Sequence, residues 1–212
     1  MKEPLEKYVE AIESHLRTRR GTEHVLSPRD FALARTWFNS GVSLATVLVG
    51  IDHAFDTGVR VSSLYFCRRT VEELLASGPR PQAKAAPRAE SGPPLPEVKA
   101  VLDELLEGLL AVRCPGFEPS VRRLRELTDL LSVATRPNWD YIRGKLHEID
   151  DEISEAVMSA LPAAEVAGLH EEARRAVERH RGRVDEAALE DAMRRYLVHR
   201  ARERLRLPRV FL

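Results

Sequence analysis

Apolar residues along this chain recur at spacings of three and four, which is the period of an amphipathic helix. No segment alternates apolar and polar residues over five or more positions, as a half-buried strand does. The pattern therefore predicts an all-α protein. Nine helices are expected, near residues 4–18, 28–40, 44–56, 63–76, 97–112, 119–135, 138–160, 163–181 and 185–206.

The predicted second and third helices have clear boundary signals. Ser27 is a good N-cap residue, and Pro28 suits the first helical position because its missing N–H is not needed there. Ser43 is the expected N-cap of the third helix. Gly41 and Gly58 follow the two helices, where glycine commonly ends a helix.

A proline-rich segment interrupts the helical pattern. Residues 77–96 contain six of the 13 prolines of the chain, and proline both lacks a backbone donor and blocks helix formation. We interpret this segment as a semi-extended tether. The predicted organisation is a four-helix module over residues 1–76, a linker over 77–96 and a helical bundle over 97–212.

The aromatic residues of the second helix are predicted to be core residues. Phe31, Trp37 and Phe38 share an apolar arc with Leu33 and Ala34.

The third helix has a narrower apolar stripe that leaves Asp52 and His53 outside it. His53 is expected to be a solvated surface histidine, because no second ligand stands beside it at metal-binding spacing.

The predicted fourth helix shows a different pattern. Its stripe contains Leu64, Cys67 and Val71, whereas Tyr65 projects to the far side and Phe66 to the flank. Two interpretations remain open for the residues outside this stripe. The aromatic rings and Arg68 and Arg69 form a stacking surface for single-stranded nucleic acid, or the rings pack on a neighbouring helix while Arg68 pairs with Glu72.

Residues from about 8 to 75 resemble the C-terminal domain of the DnaD-type primosomal proteins, and the same arrangement is similar to an uncharacterised bacterial helical family. The matching pieces are Leu26, Ser27 and Pro28, then Trp37, Gly41, the stretch LATVLVGIDHAF, and Ser63 to Phe66. This chain departs from the family pattern at three positions. Phe66 stands where the family has Tyr, Thr70 where it has Ile, and Leu74 where it has Trp.

The resemblance implies a helical module that binds single- or double-stranded DNA and assists helicase loading or replication restart. In that family the aromatic motif of the last helix and the flexible segment after it contribute to DNA binding. The corresponding residues here are Phe66, Arg68 and Arg69, with Arg80, Lys84 and Arg88 as auxiliary phosphate contacts. Arg17, Arg19 and Arg20 form a further basic cluster, which is also explained as a charged helix terminus.

Charge is balanced over the whole chain, with 33 basic and 33 acidic residues, so electrostatic binding depends on local patches. One such patch is predicted on the last helix, where Arg195, His199, Arg202 and Arg206 share a face. This face either follows a phosphate backbone or is a solvated face on which Asp191 pairs with Arg195.

The C-terminus is apolar, and two interpretations remain open for it. It either folds back into the bundle or is a short motif for the groove of a partner protein. The candidate residues are Leu207, Pro208, Val210, Phe211 and Leu212.

Enzyme chemistry is not indicated. Glu148, Asp151 and Glu155 align at a spacing that suits a divalent ion, but they lie opposite the apolar stripe, where solvated carboxylates are expected. The two cysteines form neither a disulfide framework nor a zinc cluster, and no nucleophile elbow or phosphate-binding glycine loop is present. We therefore expect no catalytic residue, metal or cofactor.

The N-terminus is charged throughout, and no apolar run approaches the roughly 20 residues of a membrane span, so a cytoplasmic protein without membrane contact is expected. The predicted function is that of a non-enzymatic, DNA-associated accessory protein of bacterial replication initiation or restart, with replication proteins as partners. The alternative is a helical scaffold or adaptor that binds only protein partners. The oligomeric state stays open.

Overall fold

The computed structural model describes residues 5–21, 26–57, 61–78, 94–133 and 137–209. Within these ranges the chain forms nine α-helices and no strand, which confirms the all-α prediction. Short 3₁₀ turns occur at Leu64–Cys67, Pro115–Phe117 and Val157–Ala160. The helices are α1 (Leu5–Arg20), α2 (Pro28–Asn39), α3 (Leu44–Asp56), α4 (Arg68–Leu75), α5 (Leu95–Val112), α6 (Glu118–Val133), α7 (Trp139–Ala156), α8 (Ala163–Glu178) and α9 (Glu186–Arg204).

The predicted caps of α2 and α3 are present. The Ser27 hydroxyl accepts the Asp30 N–H at 3.1 Å, and the Ser43 hydroxyl accepts the Thr46 N–H at 3.2 Å. Gly41 follows α2 with a φ of +73°, a conformation that favours glycine. Local sequence signals thus define both helices.

The chain divides into two compact units. Unit 1 contains residues 1–86 and 170–199, and unit 2 contains residues 87–169 and 200–212. This division differs from the predicted one, because residues 170–199 group with the N-terminal residues. Most of the predicted linker, residues 79–93, lies outside the described ranges.

The grouping of residues 170–199 with unit 1 has an apolar cause. Val177 and Leu189 are buried in one cluster with Val49 and Leu74. Burial of this face removes apolar surface from water, a gain of roughly 25 cal/mol per Å². The C-terminal segment therefore completes the core around α3.

Helix α3 is the centre of unit 1, since every residue from Leu44 to Ala54 is buried. Helices α1, α2 and α4 contribute to one apolar cluster with α3, and residues 177–192 contribute to a second one. The prediction that His53 is a solvated surface residue is wrong: only 8 % of it is exposed, and its ring packs edge-on against Tyr196 and His199. Its helix has neighbours on both sides, which the apolar stripe alone did not indicate.

The core prediction for α2 is confirmed for Trp37 and wrong for Phe31. Trp37 is 4 % exposed, and Phe38 packs against Tyr8 with ring centroids 5.4 Å apart. Phe31 is 41 % exposed. The buried face of α2 instead begins at Asp30. Its buried carboxylate accepts the Tyr65 N–H at 3.1 Å.

Unit 2 has its own leucine-rich core. Helices α5, α6 and α7 pack consecutively through residues spaced by three and four along each helix. The buried residues of these helices are Val98, Leu102, Leu105, Leu109, Ser120, Leu124, Leu127, Leu131, Ile142, Leu146, Ile149 and Ile153.

We predict that Gly50→Ala destabilises the protein even though alanine favours helix. A Cβ at this position would lie 2.6 Å from Val71 Cγ2 and 3.2 Å from the Val71 Cα, so α3 and α4 would have to separate. The expected loss in the free energy of unfolding is about 1–3 kcal/mol, measured by urea denaturation.

The matched control is Gly144→Ala, at an exposed position inside α7 where an added Cβ meets nothing within 4 Å. This change is expected to stabilise by about 0.5–1 kcal/mol through helix propensity. Equal effects of the two substitutions would contradict the close approach at Gly50.

Candidate functional site

The 3₁₀ turn at Leu64–Cys67 presents two aromatic rings to solvent. Leu64 and Cys67 are fully buried, so the two residues between them point outward. Tyr65 is 41 % exposed and Phe66 is 53 % exposed. We call the surface formed by Arg29, Tyr65, Phe66, Arg68 and Arg69 the Tyr65 surface.

Two guanidinium groups flank the Tyr65 ring. The Arg29 Cζ lies 4.1 Å from the ring centroid, and the Arg68 Cζ lies 5.8 Å from it. The turn itself is anchored to α2, because buried Asp30 accepts the Tyr65 N–H. A cation over an aromatic face at these distances contributes about 0.5–1 kcal/mol at an exposed site. The ring is thus held in place while part of it stays accessible.

The two arginines at the start of α4 are paired within the helix. The Arg68 Nε lies 2.6 Å from a Glu72 carboxylate oxygen, and the Arg69 Nε lies 2.8 Å from Glu73. The ion pair of the packing interpretation is therefore present, whereas the rings are exposed rather than buried against a neighbouring helix. The nucleic-acid interpretation stays a prediction. Such exposed pairs contribute about 0–1 kcal/mol, so a phosphate can compete for these guanidiniums at little cost.

The predicted basic cluster at the end of α1 is mostly engaged inside unit 1. Arg19 pairs with Asp56 at 2.5 Å, and Arg20 donates to the Val61 carbonyl at 3.3 Å. Arg17, half-exposed, pairs with Glu13 at 3.1 Å. Of the three, only Arg17 has a half-exposed side chain whose described contact is an i,i+4 ion pair.

The predicted exposure of the arginine face at α9 is wrong, although the predicted pair of Asp191 and Arg195 is present. Arg195 is 5 % exposed, where its Nε contacts Asp191 at 2.7 Å and its Nη1 donates to the Leu75 carbonyl at 2.6 Å. Arg202 is 2 % exposed and pairs with Asp150 at 2.7 Å. Buried guanidinium groups require such partners because desolvation of an unpaired charge is costly. Of the arginines in this face, Arg206 alone is exposed.

The described part of the C-terminal tail belongs to unit 2. Leu207 is 5 % exposed and lies so close to α5 that a Cβ on Gly108 would be 3.2 Å from it. Leu207 is therefore unavailable as a partner-binding residue, and Pro208 is half-buried. The remaining predicted residues, Val210, Phe211 and Leu212, lie outside the described ranges, as do Arg80, Lys84 and Arg88.

A second cluster, which sequence reasoning missed, lies inside unit 1. His15 Nε2 is 2.8 Å from Asp52 Oδ1, and His180 Nε2 is 3.0 Å from Asp52 Oδ2. The exposed fractions of these residues are 6 %, 2 % and 0 % in chain order. With Nε2 protonated, both imidazoles donate to one carboxylate. We call these three residues the His–Asp–His cluster.

The carboxylate at the centre of this cluster is ionised. Burial alone raises the pKa of Asp52, but the hydrogen bonds and charges of His15 and His180 outweigh burial and hold that pKa well below its usual range. Arg19 Nε lies 3.2 Å from Asp52, and Arg179 lies 3.8 Å from it. The negative charge of Asp52 is therefore compensated by nearby cationic groups and hydrogen-bond donors.

The parts of this cluster are far apart in sequence, which is why no motif indicated it. His180 lies 128 positions from Asp52, and His15 lies 37 positions from it. The available signal was weak: a polar pair, Asp52 and His53, within the most apolar helix of the chain. The cluster offers two imidazole nitrogens and a carboxylate oxygen, all within 4.8 Å of one another, a donor set that suits a transition metal.

Comparison with known proteins identifies no relative of this chain. No protein-family model, no curated protein and no solved structure matches the chain. Within the described ranges, no helix combines the length and the apolar character needed to cross a membrane. The resemblance to DnaD-type proteins stays a prediction.

We predict that Asp52→Asn lowers the free energy of unfolding by about 2–5 kcal/mol, because an amide cannot accept from both imidazoles and no longer balances Arg19. Urea denaturation in the presence of a chelator measures this loss.

The control for this prediction is Asp151→Asn on α7, whose side chain is 57 % exposed and which has only a 3.6 Å contact with His147. Its expected effect lies within about 0.5 kcal/mol of zero. An Asp52→Asn variant as stable as this control would show that the His–Asp–His cluster does not hold unit 1 together.

Proposed function

We propose that unit 1 is a non-enzymatic module that binds single-stranded nucleic acid on the Tyr65 surface. The observation that carries the proposal is the arrangement of two exposed rings, Tyr65 and Phe66, with the Arg29 guanidinium over one of them. Exposed aromatic rings beside arginines supply both stacking faces for bases and charge for phosphates.

The charge available to phosphate is local. Arg29 has no ion pair among the described residues, so its guanidinium can contact a phosphate without losing a carboxylate partner. Arg68 and Arg69 can join it by exchanging their exposed pairs with Glu72 and Glu73. Binding is expected to be salt-sensitive because these cations contact phosphates, and weak because the cations are few.

A wider role follows if the resemblance to DnaD-type proteins is correct. The protein would then act as a DNA-associated accessory factor in bacterial replication initiation or restart. The exposed aromatic turn lies at the position of the family's aromatic motif, which supports this extension. Two positions do not support the extension: Phe66 replaces the Tyr of the family, and Leu74 replaces its Trp.

A second candidate function is that of an adaptor that binds only protein. The pairing of Arg68 with Glu72 and of Arg69 with Glu73 nearly balances the charge of the Tyr65 surface. Exposed aromatic residues and arginine are also enriched at the centres of protein interfaces. The salt dependence of binding separates this candidate from the first one.

We predict that the double substitution Tyr65→Ala and Phe66→Ala weakens binding of a fluorescein-labelled oligothymidine by at least about ten-fold, since each stacked base contributes about 1–3 kcal/mol. Fluorescence anisotropy at low salt measures the affinity. Tyr141→Ala is the control, because Tyr141 is also half-exposed and lies beside Lys145, but on α7 in unit 2.

The variant Arg29→Ala tests the electrostatic part of the same surface. It is expected to weaken binding and to flatten its salt dependence, because one phosphate contact is removed. Circular dichroism and thermal melting confirm that each variant is folded. Failure of the wild-type chain to bind at low salt, or equal affinities for the double variant and Tyr141→Ala, would rule out the Tyr65 surface as a nucleic-acid site.

A further inference from the structure

Unit 1 contains a group of buried histidines. Four of the seven histidines of the chain lie there with 8 % or less of their surface exposed, in two edge-to-face pairs. One pair, His15 and His180, has the carboxylate of Asp52 between its Nε2 atoms. We propose that the His–Asp–His cluster binds one divalent transition-metal ion, with Zn²⁺ as the best-suited ion.

The ligand geometry supports this proposal. Zn²⁺ binds imidazole nitrogen at about 2.0–2.1 Å, which places neighbouring ligand atoms of a tetrahedral site about 3.3 Å apart. The observed separations from Asp52 are 2.8 Å for His15 and 3.0 Å for His180. The two histidines contact different oxygens of the carboxylate, and the three ligand atoms all lie within 4.8 Å of one another, so small side-chain adjustments would bring them around one ion. Helices α1 and α3 and the turn after α8 each supply one ligand.

The ring nitrogens of His180 show what ion binding requires. Its Nε2 lies 3.0 Å from Asp52 and is the atom that would bind the ion, so the ring proton must then sit on Nδ1. The residue is fully buried, and its Nδ1 has no hydrogen-bond partner within the described structure. The site therefore lacks the second hydrogen bond that most metal-binding histidines make, which lowers the affinity we expect.

A cavity of about 170 Å³ in unit 1 borders the cluster on one side. Asp52 forms part of its wall, whereas His15 and His180 do not. This volume holds several waters, which can complete the coordination that three protein ligands leave open. The wall contains carboxylates as well as Arg175 and Arg179, so its charge gives a cation no strong attraction.

Nearby guanidiniums set the expected affinity and selectivity. Arg19 and Arg179 lie 3.2 and 3.8 Å from Asp52, so they compete with a cation for its carboxylate. We therefore expect affinity below that of closed structural zinc sites. With two nitrogen donors and one oxygen donor, the site should reject Mg²⁺ and Ca²⁺, which prefer oxygen ligands.

The test uses the full chain, freed of any affinity tag and of metal by a chelator. Isothermal titration with ZnCl₂ is expected to show one ion per chain, and thermal melting should show stabilisation by Zn²⁺ and none by MgCl₂. His15→Gln and His180→Gln should each weaken Zn²⁺ binding at least about ten-fold, in line with the loss of a ligand. The control is the pair His147→Gln and His170→Gln, which removes two exposed histidines and should bind Zn²⁺ normally.

A spectroscopic measurement on the wild-type chain decides the matter if the ligand variants do not fold. Co²⁺ in a site of four or five ligands has intense visible absorption, whereas hydrated octahedral Co²⁺ is pale. The proposal predicts the intense spectrum at one equivalent and its loss on addition of Zn²⁺. A pale spectrum, absent Zn²⁺ binding by the wild type, or normal binding by a folded ligand variant would overturn it.

Discussion

The buried carboxylate of Asp52 is the constraint on which unit 1 depends. An ionised group that is 2 % exposed requires hydrogen-bond donors, and it takes them from His15 in the first helix and His180 in the turn after α8. These bonds join three segments that no short motif connects. Together with the apolar cluster of Val177 and Leu189, they group residues 170–199 with the N-terminal helices rather than with the bundle that precedes them in sequence.

Helix α3 is buried over almost its whole length because apolar clusters on its two sides exclude water. Its polar residues Thr46 and Asp52 are accommodated through hydrogen bonds to Ser43 and to the two histidines. Gly50 lets α4 approach α3 closely, so the turn that carries Tyr65 begins next to a tightly packed helix pair. The packing of α3 therefore affects both the Tyr65 surface and the His–Asp–His cluster.

The two sites differ in the physical basis of their construction. The Tyr65 surface arises from a short turn in which buried Leu64 and Cys67 force the residues between them outward, with Asp30 as the anchor. The function proposed for it depends on exposed rings and a few cations. The His–Asp–His cluster arises from long-range convergence inside the core, where the exclusion of water strengthens each polar contact. The two proposed activities are therefore tested by separate sets of substitutions.

The sequence alone could predict features that depend on local interactions. These are the all-α class, the nine helices of the described ranges, the caps at Ser27 and Ser43, the buried Trp37 and the outward-facing Tyr65. Each depends on helical period or on neighbours a few residues away. Tertiary structure decided which polar residues are internal. Asp52, Arg195 and Arg202 resemble solvated helix positions in sequence, and only their distant partners, His180, the Leu75 carbonyl and Asp150, make their burial possible. Helical periodicity contains no information about such partners.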